Sequence, residues 1–464
     1  MSSQQTLPTK NGTSGSVSTV DNLLLQLERN PEDAKLSLQE QERLLERVKV
    51  FGRDPKTAGA IFSSQGIITL ARYGLDQGAT AVSREALKCL ANAFLLHEPA
   101  RQIFVDAGYA PKAVERLKSN DRDDEFLISR LLLLTTYETK LDFVALDDEN
   151  HLADTINEHI ARHAKSVSKS GLVSHWTPMQ GMALLETLKL LFNVTHFFPT
   201  LISRFAPSVS PLVSLILRYP WPDPPLQPPV TSLLHALHSL NLQVLIEQHS
   251  TDDTIEELAD RLVAILDLAT TKQSESVLDE GATILCGILH RIVELDAPRT
   301  KPRMCSKLLP QDKDRDKPLG TGDSLPARLL RLSVSPGAPR LGKVISILLF
   351  ELSDLNPSKF IQNIGYGYGS GFLMSKNIPI PSDAVDERGG GVDPDVNPVT
   401  GQRLSAAAAE RTKPEVEMTE EEKEREAERL FVLFERLRAT GVMDVENPVQ
   451  QAVEDGRFEE LPDE

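Results

Sequence analysis

Three asparagines stand out because their side chains could bind a peptide backbone. Asn92, Asn193 and Asn241 sit at equivalent places near the ends of three apolar segments with helical periodicity. An asparagine amide offers both a donor and an acceptor, so a row of them can pair with the backbone of an extended or helical peptide. The alternative is that each asparagine caps its own helix or fixes a loop, and the residue types alone leave both interpretations open.

Cations and aromatic side chains accompany these asparagines. Lys49, Arg53 and Arg130 lie on predicted inner helices, where they could engage a terminal carboxylate or acidic side chains. Phe197 and Phe198 end another such helix and would supply apolar anchors. Together these residues favour a peptide-binding groove over covalent chemistry.

Signatures of enzymes and of nucleotide, metal or cofactor sites are absent from the sequence. There is no GxSxG, GxxxxGK[ST], HExxH or EF-hand motif, and the glycine-rich run 365–371 departs from GxGxxG. His159 with His163, and His235 with His238, could each share a helix face, but neither pair has an evident third ligand. The three cysteines form no CxxC pair. We expect a binding protein that is not an enzyme and carries no cofactor.

Charge narrows the class of partner. The 464 residues contain 67 Asp and Glu against 50 Lys and Arg, a formal net charge of −17. This excess disfavours binding to nucleic acid or to an anionic membrane surface. Because no run of about 18 apolar residues occurs, no transmembrane segment is predicted. We expect a cytoplasmic monomer that reaches the cell cortex or membrane periphery only through its partner.

The elements that must position these side chains are predicted to be helices, because apolar residues recur at three- and four-residue spacings. Seven segments are apolar on more than one face, as expected of helices that neighbours cover on two sides. Their ends recur roughly every 40 to 60 residues, near the armadillo and HEAT periods. The segments are 37–52, 83–97, 124–138, 181–198, 231–248, 276–295 and 340–355.

This spacing predicts an all-α fold, an armadillo/HEAT-repeat right-handed superhelical solenoid in which the last helix of each repeat lines a concave groove. An irregular helical bundle is the alternative. We expect polar loops in the two longest steps, around residues 146–177 and 298–324. The predicted ranges are a disordered N-terminus at 1–20, the solenoid at 21–375, a flexible Gly/Pro/Asp-rich linker at 376–418, an amphipathic helix at 419–440 and an acidic tail at 441–464.

Two C-terminal segments have contrasting patterns. Residues 363–404 are too rich in Gly, Pro and Asp to predict a helix. Thr419 and Glu422, by contrast, form a capping box that starts an amphipathic helix. Its apolar stripe needs a covering surface, either the chain's own solenoid or a partner, and the sequence leaves that choice open. The stripe consists of Ala427, Leu430, Phe431, Phe434 and Leu437.

Phrases in order along residues 22 to 447 resemble the synembryn family. They include LLERVKVFGRD, ALKCLANAFLLHEPARQIFVDAG, LKLLFNVT and PPLQPP. The most specific are GYGYGSGFL, NPVTG and MTEEEKE, which common repeat proteins lack, and the phrasing resembles a fungal member. The resemblance implies an armadillo and HEAT solenoid that acts as a receptor-independent guanine-nucleotide exchange factor and folding chaperone. Its implied partner is a heterotrimeric G-protein α subunit, GDP-bound or nucleotide-free and without βγ.

The resemblance also implies which residues contact the α subunit. In the family the groove holds the C-terminal helix of α, while the C-terminal segment lies against the loosened nucleotide site. Residues 365–372, among them Tyr366 and Phe372, and the helix 419–440 would make the second contact. The groove positions that match or lie nearby are Lys49, Arg53, Asn92, Arg130, Asn193 and Phe197.

Two departures from known patterns limit these expectations. Animal synembryns carry a dense acidic phosphorylation cluster, whereas Ser382 is followed by only three scattered acidic residues, so control by acid-directed kinases is not expected. An armadillo adaptor without exchange activity would also suit an acidic solenoid. That class has a tryptophan four residues before each groove asparagine, where this chain has Lys88, Lys189 and Leu237.

Overall fold

The computed structural model describes residues 14–33, 35–170, 176–247, 252–295, 299–379, 395–397 and 399–411. The chain divides into two compact units, one of residues 1–392 with 398–401 and one of residues 393–397 with 402–464. In the second unit the described residues form an antiparallel bridge between Val396 and Arg403, followed by one short helix. The described part of the first unit contains helices and no strand.

The helices of the described residues are α1 (Ser14–Asp33), α2 (Leu38–Phe51), α3 (Ser64–Leu75), α4 (Ala81–Leu96), α5 (Pro99–Asp106), α6 (Ala110–Leu117), α7 (Arg122–Thr135), α8 (Phe143–Asn150), α9 (Leu152–Ser170), α10 (Pro178–Phe197), α11 (Val209–Arg218), α12 (Val230–His238), α13 (Val244–Glu247), α14 (Asp252–Lys272), α15 (Glu275–Glu294), α16 (Thr300–Leu308), α17 (Leu325–Ser333), α18 (Pro339–Leu352), α19 (Pro357–Ile364), α20 (Tyr366–Ser375) and α21 (Leu404–Arg411). Two 3₁₀ helices cover Pro199–Ser208 and Asp312–Asp316.

Seven helix pairs stack in order along the first unit. The pairs are α1/α2, α3/α4, α6/α7, α9/α10, α11/α12, α14/α15 and α17/α18. The second helix of each pair packs on the second helix of the next, so that α2, α4, α7, α10, α12, α15 and α18 form one continuous row, which we call the ladder. The predicted all-α repeat solenoid is confirmed.

Side-chain caps set where the ladder helices begin. Ser37, Thr80 and Thr177 each accept a hydrogen bond from the backbone N–H three residues on and complete a capping box. Asp121 caps α7 in a similar way. Because each helix starts at a fixed residue, its apolar positions face its neighbours. Leu87, Leu90 and Phe94 of α4, for example, are fully buried.

Several sequence expectations are corrected. Helix α1 begins at Ser14, inside the range expected to be disordered, because Val20 begins an apolar face that is buried against the next helices. The predicted segment 231–248 is two helices, α12 and α13, separated by a turn. Residues 146–177 contain α9, the partner of α10, and residues 298–324 contain α16. Several polar residues of α9 are buried against neighbouring elements, among them Asn157, His159 and His163.

The glycine-rich stretch is also partly helical, against expectation. Helix α20 packs on α19, and a Cβ at Gly369 would lie 2.7 Å from Ile361 Cδ1. Glycine therefore allows the two helices to approach closely, and this contact outweighs the low helix propensity of the segment.

One helical stretch of the described residues, Pro199–Arg218, is long and apolar enough by length and composition to cross a membrane. It joins a 3₁₀ helix to α11, and α11 packs against α9, α12 and α14. Burial of Leu212, Val213, Leu215 and Ile216 accounts for the apolar composition of α11, and the absence of a transmembrane segment stays a prediction.

Candidate partner-binding site

Each ladder helix leaves one stripe of side chains uncovered. The stripes on α4, α7 and α10 repeat at spacings of three or four residues, which places them on one side of each helix. We call these stripes, together with the side of α2 that carries Lys49, the ladder face. They consist of Arg84, Lys88, Asn92 and Leu95 on α4, of Phe126, Arg130 and Leu134 on α7 with Tyr137 just after it, and of Leu185, Lys189, Phe192 and His196 on α10.

A nearly buried carboxylate, Glu85 of α4, holds two cations at the ladder face. It contacts Lys49 of α2, and its Oε1 lies 2.6 Å from Lys88 Nζ. Burial opposes ionisation of Glu85, but the hydrogen bonds from Lys49 and Lys88 outweigh it and lower its pKa below the ordinary value. The carboxylate is therefore charged at neutral pH and fixes both ammonium groups.

Glu186 of α10 repeats this arrangement two ladder helices further on. Its Oε1 lies 3.0 Å from Lys189 Nζ, and its Oε2 lies 3.7 Å from Arg130 Nε on α7. The sequence signal is E-x-x-K-x-x-x-N, which occurs in both α4 and α10 and which our sequence analysis missed. Each glutamate offsets one of its two cations, so the two clusters keep positive charge on the ladder face of an acidic chain.

The three predicted asparagines have three different environments. Asn92 is partly exposed, and its amide makes no hydrogen bond with other described residues. Asn193 is buried, and its Nδ2 donates to Thr136 Oγ1 at 2.8 Å, which ties α10 to α7. Asn241 lies in the turn after α12, where its Oδ1 accepts from the Gln243 N–H at 3.0 Å. The expectation of three equivalent groove asparagines is wrong, because Asn241 starts a turn.

The predicted cations also differ in what they touch. Arg53 lies in the turn after α2 rather than on the helix, and its exposed guanidinium has no partner among the described residues. Arg130 lies beside Glu186 and over the ring of Phe126, with 5.2 Å between its guanidinium carbon and the ring centroid. Lys49 is bound to Glu85. Of these three cations, Arg53 is the one available to a new anion.

Exposed apolar side chains end three successive ladder helices. Leu95 and Leu96 end α4, Tyr137 follows α7, and Phe197 ends α10 with 45% of its surface exposed. The rings of Tyr137 and Phe197 meet edge to face at 5.8 Å. We call these four residues the apolar row. Phe198 does not belong to it, because its ring packs on a buried phenylalanine of α8.

Tyr366 and Phe372, the predicted C-terminal contacts that the structure describes, pack against the repeat unit. Phe372 of α20 packs against the rings of Phe350 and Phe360, each at 5.6 Å, and Tyr366 packs partly on the core. Both residues therefore support the repeat unit itself. The remaining predicted contacts, which lie outside the described residues, are Leu430, Phe431, Phe434 and Leu437.

The histidine pair of α9 forms part of a buried polar cluster. His163 Nε2 lies 2.7 Å from Glu125 Oε1, and His159 Nε2 lies 2.7 Å from the Leu117 carbonyl oxygen. Burial lowers the pKa of His163 despite the hydrogen bond to Glu125. Its Nδ1 has no partner among the described residues, so a neutral ring that donates from Nε2 avoids an unpaired buried N–H. The described residues contain no group of three or more His, Cys, Asp or Glu arranged to hold a metal.

Stacked helix pairs and an uncovered ladder face with fixed cations beside an apolar row define an all-α repeat protein of the armadillo and HEAT kind. Comparison of the sequence with known families identifies its branch of that class. The family described as guanine nucleotide exchange factor synembryn matches residues 44–457. The chain belongs to the synembryn family.

Individual relatives agree with this assignment. A synembryn-like chaperone of Schizosaccharomyces pombe is 25% identical over 425 residues, covering 81% of this chain and 76% of the relative. Chaperone Ric-8A of Macaca fascicularis is 24% identical over 440 residues, covering 86% and 81%. The Danio rerio Ric-8A is 24% identical over 445 residues, covering 85% and 80%.

A solved designed armadillo repeat protein has a TM-score of 0.35 at 12% identity, covering 72% of this chain and 99% of its own.

Proposed function

We propose that this protein is a guanine-nucleotide exchange factor and folding chaperone for heterotrimeric G-protein α subunits. It binds α in the GDP-bound or nucleotide-free state and without βγ. The observation that carries the proposal is the synembryn match, which extends over residues 44–457. The ladder face supports it, because cations beside exposed apolar side chains suit a partner helix that ends in a carboxylate.

The proposed occupant of the ladder face is the C-terminal helix of the α subunit. Its apolar side would cover the apolar row, and its terminal carboxylate or an acidic side chain would bind the unpaired guanidinium of Arg53. The amide of Asn92 is available to the helix backbone. Lys49 and Arg130 contribute positive charge from positions fixed by their glutamates, and Asn193 acts indirectly by holding α10 against α7.

Nucleotide exchange follows from differential binding. While the ladder face holds the last helix of the α subunit, that helix cannot pack on the α-subunit core. The purine-binding loop of the α subunit then loses its support and becomes less ordered. The nucleotide-free state is then the one that this protein stabilises. Moving a two-state equilibrium from about 1:99 to about 99:1 requires roughly 5.5 kcal/mol of differential affinity. GTP with magnesium reorders the switches of the α subunit and favours release.

We assign the C-terminal segment to a second contact with the same partner. In this proposal the helix 419–440 lays Leu430, Phe431, Phe434 and Leu437 on the α subunit near its nucleotide site. Tyr366 and Phe372 act through the support that α20 gives to the end of the repeat unit. The protein acts as a cytoplasmic monomer, binds no nucleic acid and performs no covalent chemistry.

Release of a fluorescent GDP analogue from a purified α subunit tests the proposal. We expect faster release with this protein and no binding of the nucleotide to the protein alone. A pull-down with nucleotide-free and GTP-loaded α subunits should retain mainly the nucleotide-free form. An unchanged release rate at saturating protein, with no preference between the two forms, would overturn the proposal.

The alternative is an armadillo adaptor that reads basic peptides through a tryptophan row. Lys88 and Lys189 occupy two of the tryptophan positions and bind buried glutamates. Trp176 packs near His163 at 5.4 Å, and Trp221 lies under the Arg261 guanidinium at 4.1 Å. These observations disfavour the adaptor, and tight binding of a basic peptide without any effect on GDP release would restore it.

A further inference from the structure

Backbone segments that are distant in sequence meet at the end of the repeat unit. The carbonyl of Val399 accepts from the Gly367 N–H at 3.1 Å, and the carbonyl of Thr400 accepts from the Leu319 N–H at 3.0 Å. Residues 399–401, which we call the clasp segment, are thus held by α20 and by the loop before α17. They include part of the NPVTG phrase, to which the ladder face assigns no role.

Arg315 binds the clasp segment to the end of α19. Its Nη1 donates to the Gly401 carbonyl at 3.0 Å, and its Nη2 donates to the carbonyls of Gln362 at 2.8 Å and Asn363 at 3.2 Å. A planar guanidinium can donate to several acceptors at once, which a lysine cannot match in geometry. The positive charge also lies at the C-terminal end of α19, where the helix dipole favours it.

Two glycines allow this close packing. Gly401 has a φ of +66°, and a Cβ there would lie 2.3 Å from Leu319 Cδ1. Gly365 has a φ of +82°, and a Cβ there would lie 3.1 Å from the Val399 carbonyl oxygen. Any other residue would be strained at both positions. The glycines of two family-specific phrases therefore serve an intramolecular contact.

We propose that Arg315 and the clasp segment fix the point at which the C-terminal part of the chain leaves the repeat unit. This fixed start sets how effectively that part reaches an α subunit already bound at the ladder face. The inference rests on the proposed function, and within it Arg315 is a positioning residue. The three hydrogen bonds described above join it to the tether of the partner-binding segment and to the end of α19.

The size of the effect follows from tether length. The predicted helix starts at residue 419, which is 18 residues beyond 401 and 40 residues beyond 379, the last described residue before residue 395. Helix α21 (Leu404–Arg411) lies in the tether in both states and spans about 12 Å, close to the roughly 16 Å expected of eight flexible residues, so the residue count still measures tether length. With the rest of the tether flexible, as the sequence predicts, effective concentration falls as about the −3/2 power of that length. Opening the clasp should therefore lower the effective concentration of the helix at the partner about threefold.

Two variants of the full chain open the clasp by different means. Arg315→Ala removes the three donated hydrogen bonds, and Gly401→Ala introduces a clash and backbone strain without a change of charge. Arg261→Ala is the matched arginine control, because Arg261 also donates to two backbone carbonyls, far from the clasp segment in sequence. Gly322→Ala is the glycine control, because a Cβ there meets only the Ala327 methyl at 3.9 Å.

The readouts are the Kd for the nucleotide-free α subunit and the Kd for its isolated C-terminal peptide. We expect both clasp variants to bind the α subunit about threefold more weakly, with unchanged peptide affinity, because the peptide uses only the ladder face. The controls should keep the wild-type ratio of the two affinities. Amide hydrogen exchange at Leu319 and Gly367 should accelerate in the clasp variants while α18 stays protected.

A double-mutant comparison separates positioning from simple destabilisation. In a chain that already carries Phe431→Ala and Phe434→Ala, Arg315→Ala should cause no further loss of α-subunit affinity. If the clasp is open and the ratio of α-subunit affinity to peptide affinity equals that of the wild type, the inference about Arg315 is overturned, whether or not both affinities fall. The proposed function would not be affected by that result. Protected amides in both clasp variants would also overturn the inference about Arg315. Failure of the wild-type chain to bind any α subunit would overturn the proposed function as well.

Discussion

Replacing Phe197 by alanine tests whether the apolar row is a binding surface. The side chain ends α10 with 45% of its surface exposed and touches the ring of Tyr137. Because an aromatic side chain buries about 150–250 Å² when fully covered, a partner could cover about 90 Å² more. At about 25 cal/mol per Å² this is about 2 kcal/mol, or roughly a 30-fold rise in the Kd for the α-subunit peptide.

The neighbouring Phe198 provides a matched control. Its ring packs on Phe143 with 5.1 Å between centroids, so Phe198→Ala should mainly lower the free energy of unfolding, toward the roughly 3 kcal/mol of a core truncation. Phe197→Ala loses its ring contacts with Tyr137 and with the adjacent His196, and the Tyr137 pairing is worth about 0.5–1.5 kcal/mol. Calorimetric titration with the peptide and urea unfolding should be measured on the same preparations of each variant.

The two variants should therefore separate binding from stability. A Phe197→Ala chain that is folded and binds the peptide with wild-type affinity would remove the apolar row from the site. A Phe198→Ala chain with normal stability and weakened binding would show that the partner reaches further along α10 than the exposure of its side chains indicates.

Four other changes probe separate parts of the molecule. Arg53→Ala should weaken peptide binding by about 1.5–3 kcal/mol, the range for a charge-assisted hydrogen bond, and equal affinity in calorimetry would exclude this guanidinium from the site. Glu85→Gln leaves two cations unpaired, so binding of an acidic peptide should tighten and depend more steeply on salt; parallel salt dependences for variant and wild type would refute the charge argument. Phe431→Ala with Phe434→Ala should slow the release of GDP from the α subunit with little change in the Tm of this protein. A large drop in Tm with normal GDP release would mean that the predicted helix 419–440 packs on its own solenoid. Burial lowers the pKa of His163 in the folded chain, so its contribution to stability is present above about pH 6.5 and is lost as the pH falls below that value, by up to about 1.4 kcal/mol per pH unit. Urea unfolding at several pH values should show this loss, and His163→Gln should reduce the slope; an unchanged slope would assign the acid sensitivity to other groups.

Helix identity was predictable because its signal is local. Apolar residues at three- and four-residue spacings predicted seven helical segments, and six of them correspond to single ladder helices. Helices that were predicted to be apolar on more than one face contact more than one neighbouring helix. The seventh, 231–248, failed because Asn241 forms a turn with Gln243. A hydrogen bond over two residues interrupts a helix without changing the hydrophobic pattern around it.

The roles of the polar residues were less predictable, because they depend on contacts between helices. Asn92 and Asn193 occupy the same position in E-x-x-K-x-x-x-N, yet only Asn193 is engaged, by Thr136, 57 residues away. Whether such an amide faces a partner or a neighbouring helix depends on how closely the helices pack, which the spacing along one helix does not report.

By itself the sequence determined the class of this protein: stacked amphipathic helices, an acidic chain and the phrases that match the synembryn family. The tertiary structure alone decided which side chains remain available. It placed Glu85 between two lysines, left Arg53 unpaired among the described residues, and joined Arg315 to Gly401 across 86 residues. The physical reason is range. Helix formation depends on residues that are close in sequence. The burial and pairing of a charge depend on residues that only the folded chain brings together.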